Sequence, residues 1–444
     1  MSELLNHVNT YSSPSDLKIV DMKFADIVGA PMDCTIMKIE TNQGITGFGE
    51  IRDFASKTYA AMLKSRIVGE NPCQIDRLFR KIKQFGGHAR QGGGVSGIEV
   101  ALWDLAGKAY GVPVYQMLGG KFRDRLRMYC DTDVAGKHSG ADMGSALKAR
   151  KEKGFTILKM DLGIDLLVDI PGALCGPAST INAMRAMDQQ ELSFGITNQD
   201  FSEAVNVPHP FTMMQITDTG LDYLEDYVRQ ARDVIGYEIP LAIDHIGHIG
   251  VDSSIRLGRR LEKYNIAFME DCIPWFYYDQ WRRLKHSVAL PLCTGEDMYL
   301  KESFKQLLEN DCVSIIHPDV LTAGGILETK KIADMAEEYG VAMICHMAET
   351  PVGCMAAAHM CAATNNFVAL EYHSTDVPWW DDIVIGTDKP LIKNGYLTVP
   401  DKPGLGIDRL NDEVIAEHLN PRRPGMWEST DCWNNEHSHD RIWS

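Results

Sequence analysis

Long apolar runs are missing from this 444-residue chain. No stretch approaches the roughly 18 consecutive apolar residues that a membrane span requires. Segment 1–15 is polar and carries no apolar signal core, so export is not expected. Paired cysteine motifs are missing too. None of the eleven cysteines falls in a C-x-x-C pair, and Cys130, Cys272, Cys293, Cys312 and Cys345 lie in or beside strand-like runs. There they read as small buried hydrophobes in a reducing, cytoplasmic compartment. Positive charge is scarce: 44 Lys and Arg against 61 Asp and Glu leave a net charge of −17. Phosphate backbones want a basic face, so nucleic acid is excluded as a partner. An anionic small molecule would have to be attracted locally. The glycine cluster at 86–94 lacks the Lys-Ser/Thr ending of a phosphate loop and reads as a flexible capping turn.

Apolar residues at 45% and charged residues at 24% describe a globular protein, and its length calls for two domains, one of them a large barrel. Three short apolar runs end in evenly spaced carboxylates, at Asp244, Glu270 and Glu296. The intervals are 270 − 244 = 26 and 296 − 270 = 26 residues, about one strand, one helix and two loops. Similar runs end at Asp131, Asp161, Asp319, His346 and Glu371, with helical patterns between them at 253–264, 300–310 and 327–339. A strand–helix beat repeated eight times predicts an α/β fold, a TIM-like (β/α) barrel, over 128–400. The interval from Asp161 to Asp244 is 244 − 161 = 83 residues, where two units would take about 50 at the chain's own beat. The excess, about 163–219, reads as an insertion after the second strand: a lid on the catalytic face, or a surface loop. Residues 1–127 carry a different pattern. A hairpin at 35–50 and helices at 54–67, 74–83 and 96–110 predict a smaller α+β domain. Residues 401–444 form an aromatic and polar extension, expected to pack on the body or on a neighbouring subunit.

Each predicted tip bears a titratable group. Asp244, Glu270 and Glu296 are hard oxygen donors on consecutive strands and suit Mg2+, which keeps waters and accepts substrate oxygens; the bland alternative is a set of surface acids. Asp319 and His346 end consecutive strands, where a carboxylate can orient an imidazole as a general acid/base. Lys159 and Asp161 share one face of the second strand. Beside a metal, Lys159 would have a lowered pKa and serve as a base or electrostatic stabiliser, or else form a plain salt bridge with Asp161. His245 and His248 follow Asp244 and would act as an acid or bind substrate hydroxyls. Glu371 is a hydrogen-bond partner for a substrate oxygen.

Several stretches together resemble the enolase superfamily, in particular its mandelate racemase-like group. They are GIEVALWDLAGK at 97–108, GVPVYQMLGG at 111–120, LKMD ending at Asp161, and Ile243-Asp244. Met269-Glu-Asp271, Gly295-Glu-Asp297, Pro318-Asp319 and His346 complete the set. The likeness spans about 17–408. It implies an α+β capping domain over a modified barrel, Mg2+ on Asp244, Glu270 and Glu296, and the Asp319–His346 dyad as general acid/base. It further implies abstraction of the proton α to a metal-bound carboxylate, in a homo-oligomer, usually a dimer or octamer. One departure stands out: Asp161 replaces the second lysine of the family's Lys-x-Lys, and two-base racemisation loses its usual base. Lys159 matches the first lysine, which usually supports the carboxylate. The expected activity is therefore dehydration of an acid sugar to a 2-keto-3-deoxy acid. Cycloisomerisation of a 3,6-anhydro-sugar acid and epimerisation use the same enolate chemistry, and a non-catalytic sugar-acid-binding barrel is the alternative from another class. Arg52 and His88, from the capping domain, join the candidates for a hydroxyl-rich ligand.

Overall fold

The computed structural model describes residues 12–179, 181–182, 214–244 and 249–437. A three-stranded antiparallel sheet comes first: β1 (Ile19–Ile27), β2 (Cys34–Thr41) and β3 (Thr46–Ile51), in that order. Gly44, at φ 75°, supplies the left-handed turn residue that the β2–β3 hairpin needs. Helix α1 (Ile75–Ile82) follows, while the helix expected at 54–67 forms as two short pieces, Thr58–Ala61 and Lys64–Ile67. Helix α2 (Gly93–Tyr110) is buried on nearly every face and ends on Gly111 at φ 74°.

The barrel strands are β4 (Arg125–Cys130), β5 (Leu158–Asp161), β6 (Leu241–Asp244), β7 (Ile266–Glu270), β8 (Leu292–Thr294), β9 (Ile315–Ile316), β10 (Ala342–Cys345) and β11 (Phe367–Tyr372). They pair in parallel in sequence order, and Leu370 opposite Met128 closes the ring of eight between β11 and β4. Seven strands are followed by helices: α3 (Gly140–Glu152), α4 (Asp218–Ile235), α5 (Val251–Leu261), α6 (Tyr278–Lys285), α7 (Lys301–Glu309), α8 (Ile326–Glu338) and α9 (Pro351–Ala362). Asp161 sits directly opposite Asp244 in the β5–β6 register. The 83-residue interval is therefore one strand-to-strand unit, not two, and its excess is correspondingly larger. A two-stranded ribbon, Leu174–Cys175 with Gln215–Ile216, ties the two ends of that insertion together. Its centre, 183–213, on which the expected lid falls, lies outside the described residues.

Two carboxylates of the small domain cap barrel helices. Glu50 accepts from Thr350 N (3.0 Å), Thr350 Oγ1 (2.6 Å) and Gly353 N (2.9 Å) at the start of α9. Glu99 accepts from Ile326 N (2.7 Å) and Leu327 N (3.0 Å) at the start of α8. Both satisfy orphan helix N–H groups and meet the positive end of the helix dipole. The glycine cluster is no flexible turn. A Cβ on Gly93 would lie 2.7 Å from the Arg52 nitrogen, and one on Gly92 would lie 2.5 Å from the Thr322 carbonyl oxygen. Gly92 lets the small domain press onto the barrel, and Gly93 lets α2 press onto the chain just after β3 within the small domain. Beyond residue 401 the chain returns to the free edge of β1, with bridges Ile27 to Leu419 and Ala25 to Met426 and with Thr430 Oγ1 2.7 Å from buried Lys64 Nζ.

Candidate active site

Side chains alternate along a strand, so the barrel interior is layered by a period of two. The lower layer is an apolar plug of Tyr129, Ile157, Ala242, Phe268, Cys293, Ile344 and Ala369. One pleat higher, at the C-terminal mouth, stand Asp131, Lys159, Asp244, Glu270, His317, His346 and Glu371, all buried. A further pleat adds Asp161, Asp319 and His373.

Lys159 lies at the centre of this upper layer. Its Nζ is 2.6 Å from Asp244 Oδ2, 3.3 Å from Glu270 Oε2 and 2.5 Å from Glu371 Oε1. Burial works against its charge, but Asp244, Glu270 and Glu371 outweigh it and hold the ammonium well above its ordinary pKa. The lowering expected from sequence is that of a lysine beside a metal ion; with these carboxylates alone around it, the ammonium keeps its proton. It does not pair with Asp161, which groups instead with Asp131 and Asp244, ligand atoms within 4.8 Å of one another. Burial opposes ionisation of Glu371, yet Lys159 and then His373 keep it well below the usual carboxylate range.

Asp319 and His346 meet as their strand positions imply, with Oδ2 2.5 Å from Nδ1. The other imidazole nitrogen, Nε2, faces Glu296 Oε2 at 3.1 Å. Asp319 also accepts from Leu321 N and Thr322 N. Burial raises its pKa, but Arg52 and then His346 bring it below the ordinary value. Arg52 is only 1% exposed; its Nη1 lies 3.0 Å from Asp319 Oδ2 and its Nη2 3.4 Å from Glu296 Oε1, with Nε on Asp53. In this structure the guanidinium clamps three acids. His88 stays exposed at the rim, its ring tilted 41° against Trp275 at 4.2 Å between centroids and accepting from Tyr299 N through Nδ1 (3.1 Å). His245 and His248 lie outside the described residues.

Asp244, Glu270 and Glu296 end β6, β7 and the turn after β8. Asp244 leans toward Asp131 and Asp161, Glu270 toward His317, and Glu296 toward His346 and Arg52. Their combined field is nonetheless felt at one place. Half-buried Asp271 is pushed well above the usual carboxylate range by desolvation and then by Glu296, Glu270 and Asp244. The donors are hard oxygens, and a lysine ammonium already rests between two of them, 2.6 Å from Asp244 and 3.3 Å from Glu270. Those residues fit a divalent cation.

His317 and His373 escape a reading of strand tips alone. Each stands two residues from a recognised tip, Asp319 and Glu371, so the period-2 rule carried one pleat further finds both. His317 bridges Glu270 through Nδ1 and Glu371 through Nε2 (3.2 Å), and Tyr129 Oη lies 2.7 Å from Nε2. Burial would lower its pKa, but Glu270 and Glu371 raise it to about 10.

A closed parallel barrel with an acid-lined mouth, roofed by an α+β domain, is the architecture of a barrel enzyme acting at its C-terminal face. Residues 17–119 match the family model described as the mandelate racemase / muconate lactonizing enzyme N-terminal domain, and residues 142–413 match the enolase C-terminal domain-like model. The chain belongs to the mandelate racemase/muconate lactonizing enzyme group of the enolase superfamily. It is similar to a D-xylonate dehydratase of Haloferax volcanii, 31% identical over 427 residues that cover 94% of this chain and 93% of that protein. Among solved structures it resembles a mandelate racemase/muconate lactonizing enzyme-like protein from Rubrobacter xylanophilus. The TM-score is 0.77 at 28% identity, covering 93% of this chain and 100% of that one. The 3,6-anhydro-D-galactonate cycloisomerase of Zobellia galactanivorans is also similar, with TM-score 0.70 at 25% identity, covering 91% and 99%.

Proposed function

We propose that the protein is a Mg2+-dependent acid-sugar dehydratase that converts an aldonate or aldarate to its 2-keto-3-deoxy acid. Asp244, Glu270 and Glu296 would hold the cation. When bound, it would neutralise the substrate carboxylate and so acidify the neighbouring C2–H, an effect worth several kcal/mol. His346 takes the C2 proton on Nε2, the nitrogen that faces Glu296, while Asp319 fixes its tautomer and stabilises the imidazolium. Lys159 and Glu371 hold the floor of the site in one charge arrangement. Asp161, in place of a second lysine, leaves no lysine base opposite His346, which favours elimination over two-base racemisation.

One observation carries this reading: the 2.5 Å Asp319–His346 contact, with the free imidazole face turned on an acid of the cation set. Likeness to a relative named D-xylonate dehydratase supports the substrate class. The test is incubation of the Mg2+-loaded protein with a library of acid sugars and an assay for α-keto acid. A keto product from one five- or six-carbon member is expected, and is lost with chelator; no product from any member refutes dehydration. Likeness to a 3,6-anhydro-D-galactonate cycloisomerase favours a second reading, cycloisomerisation, in which the leaving group is a ring ether oxygen. A 3,6-anhydro-sugar acid in the same library separates the two.

A further inference from the structure

His373 stands where a second acid/base group is needed. It follows Glu371 by two residues, one place beyond the end of β11, and its Nδ1 is 3.5 Å from Asp131 Oδ2 at the tip of β4. β11 and β4 are neighbours, with Tyr372 opposite Cys130. The pair is placed across the closing seam of the barrel as Asp319 and His346 are placed across β9 and β10, at ion-pair distance rather than in a hydrogen bond. The two imidazoles lie side by side, ring centroids 5.9 Å apart. A ring nitrogen of each and a Glu371 carboxylate oxygen fall within 4.8 Å of one another. Nε2 of His373 is 3.3 Å from Glu371 Oε1 but makes no hydrogen bond of good geometry among the described residues. Its side chain is 10% exposed, so it reaches the cavity rather than the plug.

We infer that His373, oriented by Asp131, is the catalytic general acid that protonates the departing β-hydroxyl, while His346 removes the α-proton. The assignment rests on the dehydratase reading. The C2–H bond breaks and its proton goes to His346 Nε2. The electron pair forms the C2–C3 double bond as the C3–O bond breaks. The proton of His373 Nε2 goes to that oxygen, which leaves as water. The enol then tautomerises to the keto acid, and solvent resets both rings, so no oxidant or reductant enters. Lys159 is unsuited to this step because three carboxylates hold its proton. Glu371 is unsuited because it is kept ionised. His373 has the opposite bias: burial disfavours its charge, but Glu371 and Asp131 raise its pKa to about 9, so it enters the reaction protonated.

The test uses the acid sugar that the wild type dehydrates, in D2O, and follows C2–H exchange and keto-acid formation together. His373→Asn is expected to lose about 100-fold or more of dehydration while retaining C2 exchange, whereas His346→Asn loses both. A 3-deoxy-3-fluoro analogue sharpens the contrast, because fluoride leaves without a proton. On it His373→Asn should recover to within about tenfold of wild type. Dehydration by His373→Asn within about threefold of wild type, or equal loss of exchange, dehydration and defluorination, overturns this assignment alone. Absence of keto acid from the wild type with every acid sugar of the library overturns the dehydratase reading, and the assignment with it. If His373→Asn does not fold, Asp131→Asn carries the test: dehydration should fall while defluorination holds, and parallel loss of both refutes the role.

Discussion

Replacing Arg52 by Met removes one cation from a buried set of acids. Its guanidinium serves Asp319 (3.0 Å), Glu296 (3.4 Å), Asp53 and Thr322 Oγ1 (2.8 Å). Asp53 keeps Arg90 at 3.0 Å, so the loss concentrates on Asp319 and Glu296. Breaking a buried ion pair from one side costs about 3–5 kcal/mol, because the partner charge is left uncompensated. Unfolding entropy near 2.1 cal/mol/K per residue makes that roughly a 4 °C drop in Tm for a chain of this length. The catalytic loss should be larger than the stability loss suggests. Without Arg52, Asp319 is free to take the His346 proton or turn away, and about 100-fold in kcat is expected to go with it. Arg52→Lys should return part of the Tm but little of the rate, since one ammonium cannot span both acids. Thermal melts and keto-acid formation by the Mg2+-loaded protein provide the readouts. A Met variant that melts within about 1 °C of wild type and turns over within about twofold would refute the clamp.

Burial outweighs the hydrogen bonds on Glu50 and Glu99 and raises their pKa values to about 7 and about 8, from an unfolded 4.5. Between those values the native state holds protons that the unfolded chain has released, so this stability is complete below about pH 4.5 and is lost as pH rises through 7 and 8. Glu50→Gln should remove on the order of 3 kcal/mol of that decline, read as unfolding free energy against pH; an unchanged slope refutes it. Lys159→Met leaves Asp244, Glu270 and Glu371 without their ammonium. The metal-free protein should lose about 3–5 kcal/mol, and added Mg2+ should raise its Tm more than it raises that of wild type; equal shifts count against Lys159 as internal counter-ion. Gly93→Ala forces a Cβ against the Arg52 backbone and should cost about 1–3 kcal/mol by denaturant titration, a neutral result contradicting the close packing of α2 on the chain after β3.

The barrel was legible because its strands are covered on both faces and so read as unbroken apolar runs, each ended by an ionisable residue at the mouth. The capping hairpin was legible from its alternation about Gly44. β1 was not singled out, since its second half, Phe24 and Ala25 through Ile27, is buried on both faces and shows no alternation. The 83-residue interval reads as an insertion, but its length alone does not give the size of the excess; the Asp161–Asp244 register does. Lys159 faces the barrel interior as its place on β5 implies, and three acids at salt-bridge distance hold its ammonium, a surrounding that sequence spacing alone does not give. His317 and His373 were passed over because attention fell on the last ionisable residue of each run. The residue two places away shares its face.

Charge bookkeeping at the mouth ties these elements to the chemistry. Lys159 is held by Asp244, Glu270 and Glu371; Arg52 by Asp319, Glu296 and Asp53; Arg90 by Asp53 and Asp297. Each lysine and arginine named at the site is thus already committed to acids, in a chain of net charge −17. A substrate carboxylate arriving there must draw its counter-charge from elsewhere. The proposed divalent cation supplies it at the carboxylate, and the imidazolium of His373 supplies it one carbon further on. Those are the two places where an elimination needs positive charge: beside the forming enolate and at the departing oxygen.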